Sequence, residues 1–161
     1  MGTLIPDKNR KWKLGIAFRG LDEPVVCRVN SEPKTKGLGL RPDELEMALL
    51  QSFLDNQQKA EQSVEAFLYD EYNSYREANA FPLGRNPITD GACEDDDVFC
   101  ELASSQGVWL RVIFFEIGFC PGQKVNDIEY EMAITYRFDW DYEHRYALLL
   151  KDNRVVEMVD C

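Results

Sequence analysis

The sequence predicts an α+β domain: a mainly antiparallel sheet of about six strands, with a helix pair and a short helix on one face. Three observations carry this expectation. From Ile128 to Phe138, apolar and polar residues alternate without a break, the period of a half-buried strand. Between Leu45 and Tyr75 the apolar residues recur at helical spacing instead. The two patterns are segregated along the chain rather than interleaved, which favours α+β over a doubly wound parallel sheet. A chain of 161 residues fits one domain, 1–161, and its 45% hydrophobic content with nine Phe, seven Tyr and three Trp is enough for a core.

Taken in order, residues 1–10 are polar and are expected to fray. Trp12, Leu14, Ile16 and Phe18 alternate with Lys13, Gly15, Ala17 and Arg19. After a turn at Gly20-Leu21-Asp22-Glu23-Pro24, Val25, Cys27 and Val29 alternate again. This reads as an N-terminal β-hairpin. Residues 31–40, with Pro33, Lys34, Lys36, Gly37 and Gly39, read as a loop.

Pro42-Asp43-Glu44 then opens a helix, with proline suited to the first helical position and the acids to the positive end of the dipole. Leu45, Ala48, Leu49 and Phe53 would form its buried face. Asp55-Asn56-Gln57 interrupts the pattern, and a second helix buries Ala60, Val64, Phe67, Leu68 and Tyr75. So short a break suggests an αα-hairpin. Residues 78–97, with Pro82, Gly84, Pro87, Asp90-Gly91 and the run Glu94-Asp95-Asp96-Asp97, read as a long surface loop. A short helix follows, capped by one of the three Asp, with Val98, Phe99 and Leu102 inward.

Four strands complete the chain. The first is the apolar run Val108–Ile117, closed by a turn at Cys120-Pro121-Gly122-Gln123-Lys124. Residues 128–138 form the second, and Tyr146, Leu148 and Leu150 the third. Lys151-Asp152-Asn153-Arg154 turns into the last, with Val155, Val156 and Val159.

Several function classes recede on composition. No run approaches eighteen apolar residues, so no membrane span is expected. The N-terminus lacks the apolar core of a secretory signal, which points to a cytoplasmic protein. Five cysteines at irregular spacing, with no Cys-x-x-Cys pair, suit neither a disulfide framework nor a zinc site. The net charge of −11 is uneven: residues 1–41 hold nine Lys/Arg against four Asp/Glu, and residues 42–161 nine against twenty-five. Such a field repels nucleic acid and anionic membranes and draws in basic proteins.

The densest chemistry lies at Asp139-Trp140-Asp141-Tyr142-Glu143-His144, which holds the single histidine of the chain. His144 with Glu143 could form an acid–base pair. As sequence neighbours in extended backbone, however, they would point to opposite faces. The Glu94–Asp97 run lacks the alternating ligands and central glycine of a calcium loop. Nucleotide, nucleophile-elbow and zinc-protease motifs are missing as well. No catalytic set, metal site or cofactor is therefore expected.

The segment 139–144, the apolar strand after it and Lys151-Asp152-Asn153-Arg154-Val155-Val156 together resemble the close of a bacterial family of unknown function. Members of that family end in a Trp-Asp-x-Glu-His turn, a strand, a Lys-Asp-Gly-type turn and a final strand. The Tyr69, Tyr72 and Tyr75 stretch is similar too. Arg145 and Asn153 depart from the pattern, each standing where glycine is usual. The family is similar to small acidic proteins encoded beside polymorphic toxins, which implies an immunity role.

The expectation is thus a non-enzymatic intracellular binding protein that neutralises a basic, nuclease-like toxin domain by covering it with an acidic surface. Asp95, Asp96, Asp97, Asp139, Asp141 and Glu143 are the candidate partner-binding residues. The alternatives are a small hydrolase or metal-dependent enzyme built on Glu143 and His144, and an oligomerising scaffold subunit.

Overall fold

The computed structural model describes residues 3–9, 11–19, 21–34, 39–78, 102, 104–139, 141 and 143–161. They form a single α+β unit built on a seven-stranded sheet in the order β1-β2-β3-β6-β7-β8-β9. The strands are β1 Ile5–Pro6, β2 Trp12–Ile16, β3 Val25–Val29, β6 Val112–Val125, β7 Ile128–Phe138, β8 Tyr146–Lys151 and β9 Arg154–Asp160. A separate two-stranded ribbon pairs β4 Ser31–Pro33 with β5 Leu40–Pro42.

The N-terminal hairpin forms as its alternation requires, with Leu14, Ile16, Val25, Cys27 and Val29 buried. The four C-terminal strands form too, all antiparallel. The hairpins β6–β7 and β8–β9 turn through Asn126-Asp127 and Asp152-Asn153, all four at positive φ. That is the geometry whose twist matches the strands, and Asn and Asp tolerate it best after glycine. Asn153 thus fills, at φ 59°, a position that glycine would hold without strain.

Several expectations need correction. Residues 5–6 do not fray; they pair with Trp12 and Lys13 as a short edge strand. Part of the expected loop 31–40 belongs to the ribbon. Pro42 ends β5, and the helix cap is Asp43, whose carboxylate accepts the Glu46 amide at 2.9 Å. Val108–Arg111 belongs to a 3-10 helix, Ser105–Arg111, and β6 starts only at Val112. Val98 and Phe99 lie outside the described residues, as does most of the loop 78–97. Cys120-Pro121-Gly122 does not turn the chain. It is a bulge inside β6, where the register jumps between Phe119 and Gln123 and Gly122 takes φ 72°.

One pairing is parallel. Val26, Cys27 and Arg28 of β3 lie beside Glu116, Ile117 and Gly118 of β6. Parallel neighbours need a long crossover, and here it carries both helices, α1 Glu44–Asp55 and α2 Gln57–Ala78. A single residue, Asn56, joins them, shorter than the two to five residues of an antiparallel helix pair. Backbone bonds run through it from Ser52 to Ala60, so the joint is a bend rather than a hairpin.

Phe53 of α1 and Ala60, Val64 and Leu68 of α2 are buried as expected, with Leu49 and Phe67 packed against the core, but Leu45, Ala48 and Tyr75 are not. In α1, Leu50, Phe53 and Glu46 face inward while Leu45 is 67% exposed; in α2, Tyr72 is buried and Tyr75 is 41% exposed. The reason is a pair of inward carboxylates. Glu46 accepts the Asn30 backbone amide at 2.6 Å and its side-chain amide at 2.7 Å. Glu61, also buried, accepts the Arg19 amide at 3.1 Å. Each satisfied carboxylate takes a place on the inner stripe that a hydrophobic count assigns elsewhere. Below the helices the core is aromatic: Phe18 stacks on Phe114 at 5.8 Å and meets Phe53 and Trp109.

Candidate functional site: an acidic corner at the end of the sheet

β7 ends at Phe138, and the chain must cross to β8 while keeping the aromatic end of the core dry. Asp139 helps close this end. Its amide donates to the Arg111 carbonyl at 2.9 Å, and its carboxylate lies 3.5 Å from Arg111 Nη1, with both side chains largely buried. The buried Tyr72 and Arg76 of α2 act on the pair's surroundings. Burial raises the Tyr72 phenol, while the Arg111 and Arg76 charges oppose that shift. Asp139 is therefore tied into the fold.

Asp141 organises the next turn. Its Oδ1 accepts the amides of Glu143 at 3.3 Å and His144 at 3.0 Å, and stands 2.9 Å from His144 Nδ1. Its Oδ2 accepts the Tyr146 hydroxyl at 2.9 Å. Aspartate suits this task because a short carboxylate can reach backbone amides two and three residues on. Desolvation pushes the Asp141 carboxyl up, but the bonds from His144 and Tyr146 and the His144 charge together hold it below its ordinary value. The His144 imidazole is raised, first by its hydrogen bond to Asp141 and then by that carboxylate's charge, with Glu143 and Asp160 adding less. Burial, then the bond to Asp141, pushes the Tyr146 phenol up to about 12.

His144 therefore turns to Asp141 and not to Glu143, whose side chain is exposed. A carboxylate–imidazole dyad is an arrangement an acid–base catalyst would use. Yet His144 is 63% exposed, and electrostatic help to a reaction is largest where water is excluded. Arg145 lays its guanidinium 4.5 Å from the Phe115 ring centroid.

Two further elements reach this corner. Asp160, at the end of β9, acts on His144, Tyr136 and Tyr146. Glu71 of α2 acts on the buried Tyr136, and the exposed Tyr75 on Tyr146. Asp141 of the turn, Asp160 of β9 and Glu71 of α2 thus all act on the Tyr136–Tyr146 end of the sheet, with Glu143 acting on His144 beside it. The wider setting is acidic as well, since residues 43–78 hold nine Asp/Glu against Lys59 and Arg76.

Of the residues expected from sequence, Asp139, Asp141 and Glu143 lie in or beside this corner, with only Glu143 both exposed and free of internal work. Asp95, Asp96 and Asp97 lie outside the described residues, as do Trp140 and Tyr142. Glu71, Tyr75 and Asp160 were missed because only tertiary packing brings them here. The charge count of residues 43–78 was the one available signal.

A family model described as a domain of unknown function, DUF6985, matches residues 2–161. The chain belongs to that family. Neither the curated proteins nor the solved structures contain a match to it. As a DUF6985 member it carries the family's domain over nearly its whole length, so the corner lies within the family fold. No helix among the described residues is long and apolar enough to cross a membrane.

Proposed function

We propose that this protein is a non-enzymatic binding protein that occludes a basic protein partner, in the manner of an immunity protein neutralising a nuclease-like toxin domain in a bacterial cytoplasm. The observation that carries this reading is that carboxylates of three separate elements, Asp141 of the turn, Asp160 of β9 and Glu71 of α2, act on the stacked Tyr136 and Tyr146 at one end of the sheet. A surface of that kind steers a cationic partner in quickly.

Glu143, Asp160 and Glu71 are the contacts in this reading, and Asp95, Asp96 and Asp97 join them on sequence grounds. Asp139 and Asp141 contribute field rather than contact, since their carboxylates already hold Arg111, His144 and Tyr146.

The test starts from the gene beside this one. A basic toxin-like domain encoded there should bind the purified protein, and Glu71→Gln/Glu143→Gln/Asp160→Asn should weaken binding by about tenfold or more, mostly through the on-rate. Glu143→Gln alone should leave folding stability within about 0.5 kcal/mol of wild type, as an exposed substitution does. A neighbouring gene without such a domain, or a triple variant that binds as tightly as wild type, would remove the reading. The acid–base alternative now centres on Asp141 and His144; a His144→Ala protein that keeps every biological effect removes it.

A further inference from the structure

The pairing of β3 with β6 is short. It sets Val26, Cys27 and Arg28 beside Glu116, Ile117 and Gly118 and then stops, although β6 begins at Val112. Two features of the chain end it. Pro24, just before β3, has no N–H to give a neighbouring strand. Phe115 is left over where the β6–β7 register shifts between Phe114 and Glu116, and such a bulge bends its strand.

Where the pairing would have continued, a groove of about 300 Å³ opens, with an apolar lining of Leu21, Pro24, Val25, Val112, Ile113 and Phe114. The same lining holds two carboxylates, Asp22 and Glu23, and no cation. Arg19 before the turn and Arg137 opposite Ile113 lie outside it. The walls are set before anything binds. Phe114 stacks on the buried Phe18 at 5.8 Å, and Val25 and Val112 are buried. The Leu21 amide donates to the Phe18 carbonyl at 3.3 Å. Gly15 lets Pro24 pack down on β2, because a Cβ there would come within 3.2 Å of the Pro24 Cβ. Ile113 remains 39% exposed. Asp22 and Glu23 are exposed and make no hydrogen bond or ion pair among the described residues.

The groove lies at the same end of the sheet as the acidic corner. Val112 stands opposite Phe138 at the end of β7, Tyr136 opposite Tyr146 at the start of β8, and Tyr146 opposite Asp160 at the end of β9. With neighbouring strands about 5 Å apart, β9 is on the order of 15 Å from β6. One face of a partner can span both.

Resting on the functional reading above, we propose that this groove is the partner's anchor site and that it takes a single Lys or Arg side chain. The methylene stem lies against Pro24, Val25 and Ile113, and the cationic head meets Asp22 and Glu23. Charge and polarity together select this occupant. Long basic side chains lay their stems along apolar surface while the head stays with water or a counter-charge. A purely apolar side chain would desolvate the two carboxylates without pairing them, and an acidic one would be repelled.

The probes are end-blocked tripeptides. Gly-Lys-Gly is compared with the same peptide carrying norleucine, which keeps the stem without the charge, or diaminopropionate, which keeps the charge on a short stem. In methyl NMR, Val25, Val112 and Ile113 should shift together and saturably with the Lys peptide. The short-stemmed peptide should bind about tenfold more weakly, and the norleucine peptide about threefold more weakly. Asp22→Asn/Glu23→Gln alters exposed side chains only and should keep the wild-type circular dichroism. It should bring the Lys peptide down to the norleucine level and weaken the neighbouring basic domain by about threefold or more.

The proposal is overturned by the lack of a saturable shift at those three residues, or by either control binding as tightly as the Lys peptide. A double variant that binds the Lys peptide or the basic domain as wild type does would overturn it as well. If the basic domain still binds wild type then, and binds Glu71→Gln/Glu143→Gln/Asp160→Asn more weakly, the functional reading stands and only the anchor is wrong. If the Lys peptide binds as expected but no basic domain is encoded alongside, the groove stands as a Lys/Arg site and the functional reading falls.

Discussion

The helix layer and the turn between β7 and β8 are both rich in carboxylates, yet they use them in opposite ways. Glu46, Glu61 and Glu65 of the helices reach across to neutral donors: the Asn30 and Arg19 amides, the Ser105 hydroxyl and the Trp109 indole. At the turn, Glu143 and Asp160 stand exposed, and only Asp141 is drawn inward by several donors. An acidic composition is therefore not one property. A buried carboxylate with two donors acts as a clamp between elements, while an exposed one is field for a partner.

The largest effect should come from breaking the most buried clamp. Glu46→Ala leaves the Asn30 backbone amide and side-chain amide without their acceptor under α1, and should destabilise by about 3 kcal/mol in urea titration. Glu46→Gln keeps the shape and one acceptor, and should lose about half as much. A loss under about 0.5 kcal/mol for the alanine variant would place Glu46 with the surface acids.

Glu65 comes next. It accepts Ser105 Oγ at 2.6 Å and Trp109 Nε1 at 2.7 Å, fastening the 3-10 helix to α2. Glu65→Ala should lower stability by about 2 kcal/mol. Combined with Trp109→Phe, which removes only the indole donor's half of one bond, the losses should fall short of additivity by about 1 kcal/mol. Additive losses would mean that the two side chains do not act on each other.

This contrast also explains what could be read from the sequence. Period-two alternation in β2, β3, β7, β8 and β9 gave the strands correctly, because a sheet with one buried face has no other way to place Ile134 or Leu148. The helices and most of their inner stripes (Phe53, Ala60, Val64, Leu68) were legible too, but the margins of those stripes were misread. Glu46 and Glu61 counted as surface while serving as clamps, which assigned burial to Leu45 and Tyr75 in place of Leu50 and Tyr72. The parallel pairing of β3 with β6 leaves no local trace, because it depends on a crossover of some eighty residues. At the corner, Asp141 and His144 are three residues apart and their bond was legible in principle, whereas Glu71 and Asp160 arrive only through packing.

A smaller loss than either clamp's belongs to Asp141, which stands between the two classes, and its pH dependence tells clamp from field. The Asp141 carboxyl is held below its ordinary value, so its contribution is present above the usual carboxylate range and is lost as pH falls through the lowered pKa. His144 is raised, so its contribution is full below the ordinary imidazole value and is lost as pH rises through the raised one. Both act together between roughly pH 4 and 6.5. Asp141→Asn should destabilise by about 1 kcal/mol there, and the difference from wild type should shrink on either side of the window. In the same variant the His144 imidazole should titrate closer to its ordinary value by NMR. A stability difference that stays flat across the whole range, with His144 titrating unchanged, would mean that the turn is held by its backbone alone and that Asp141 belongs with Glu143 and Asp160.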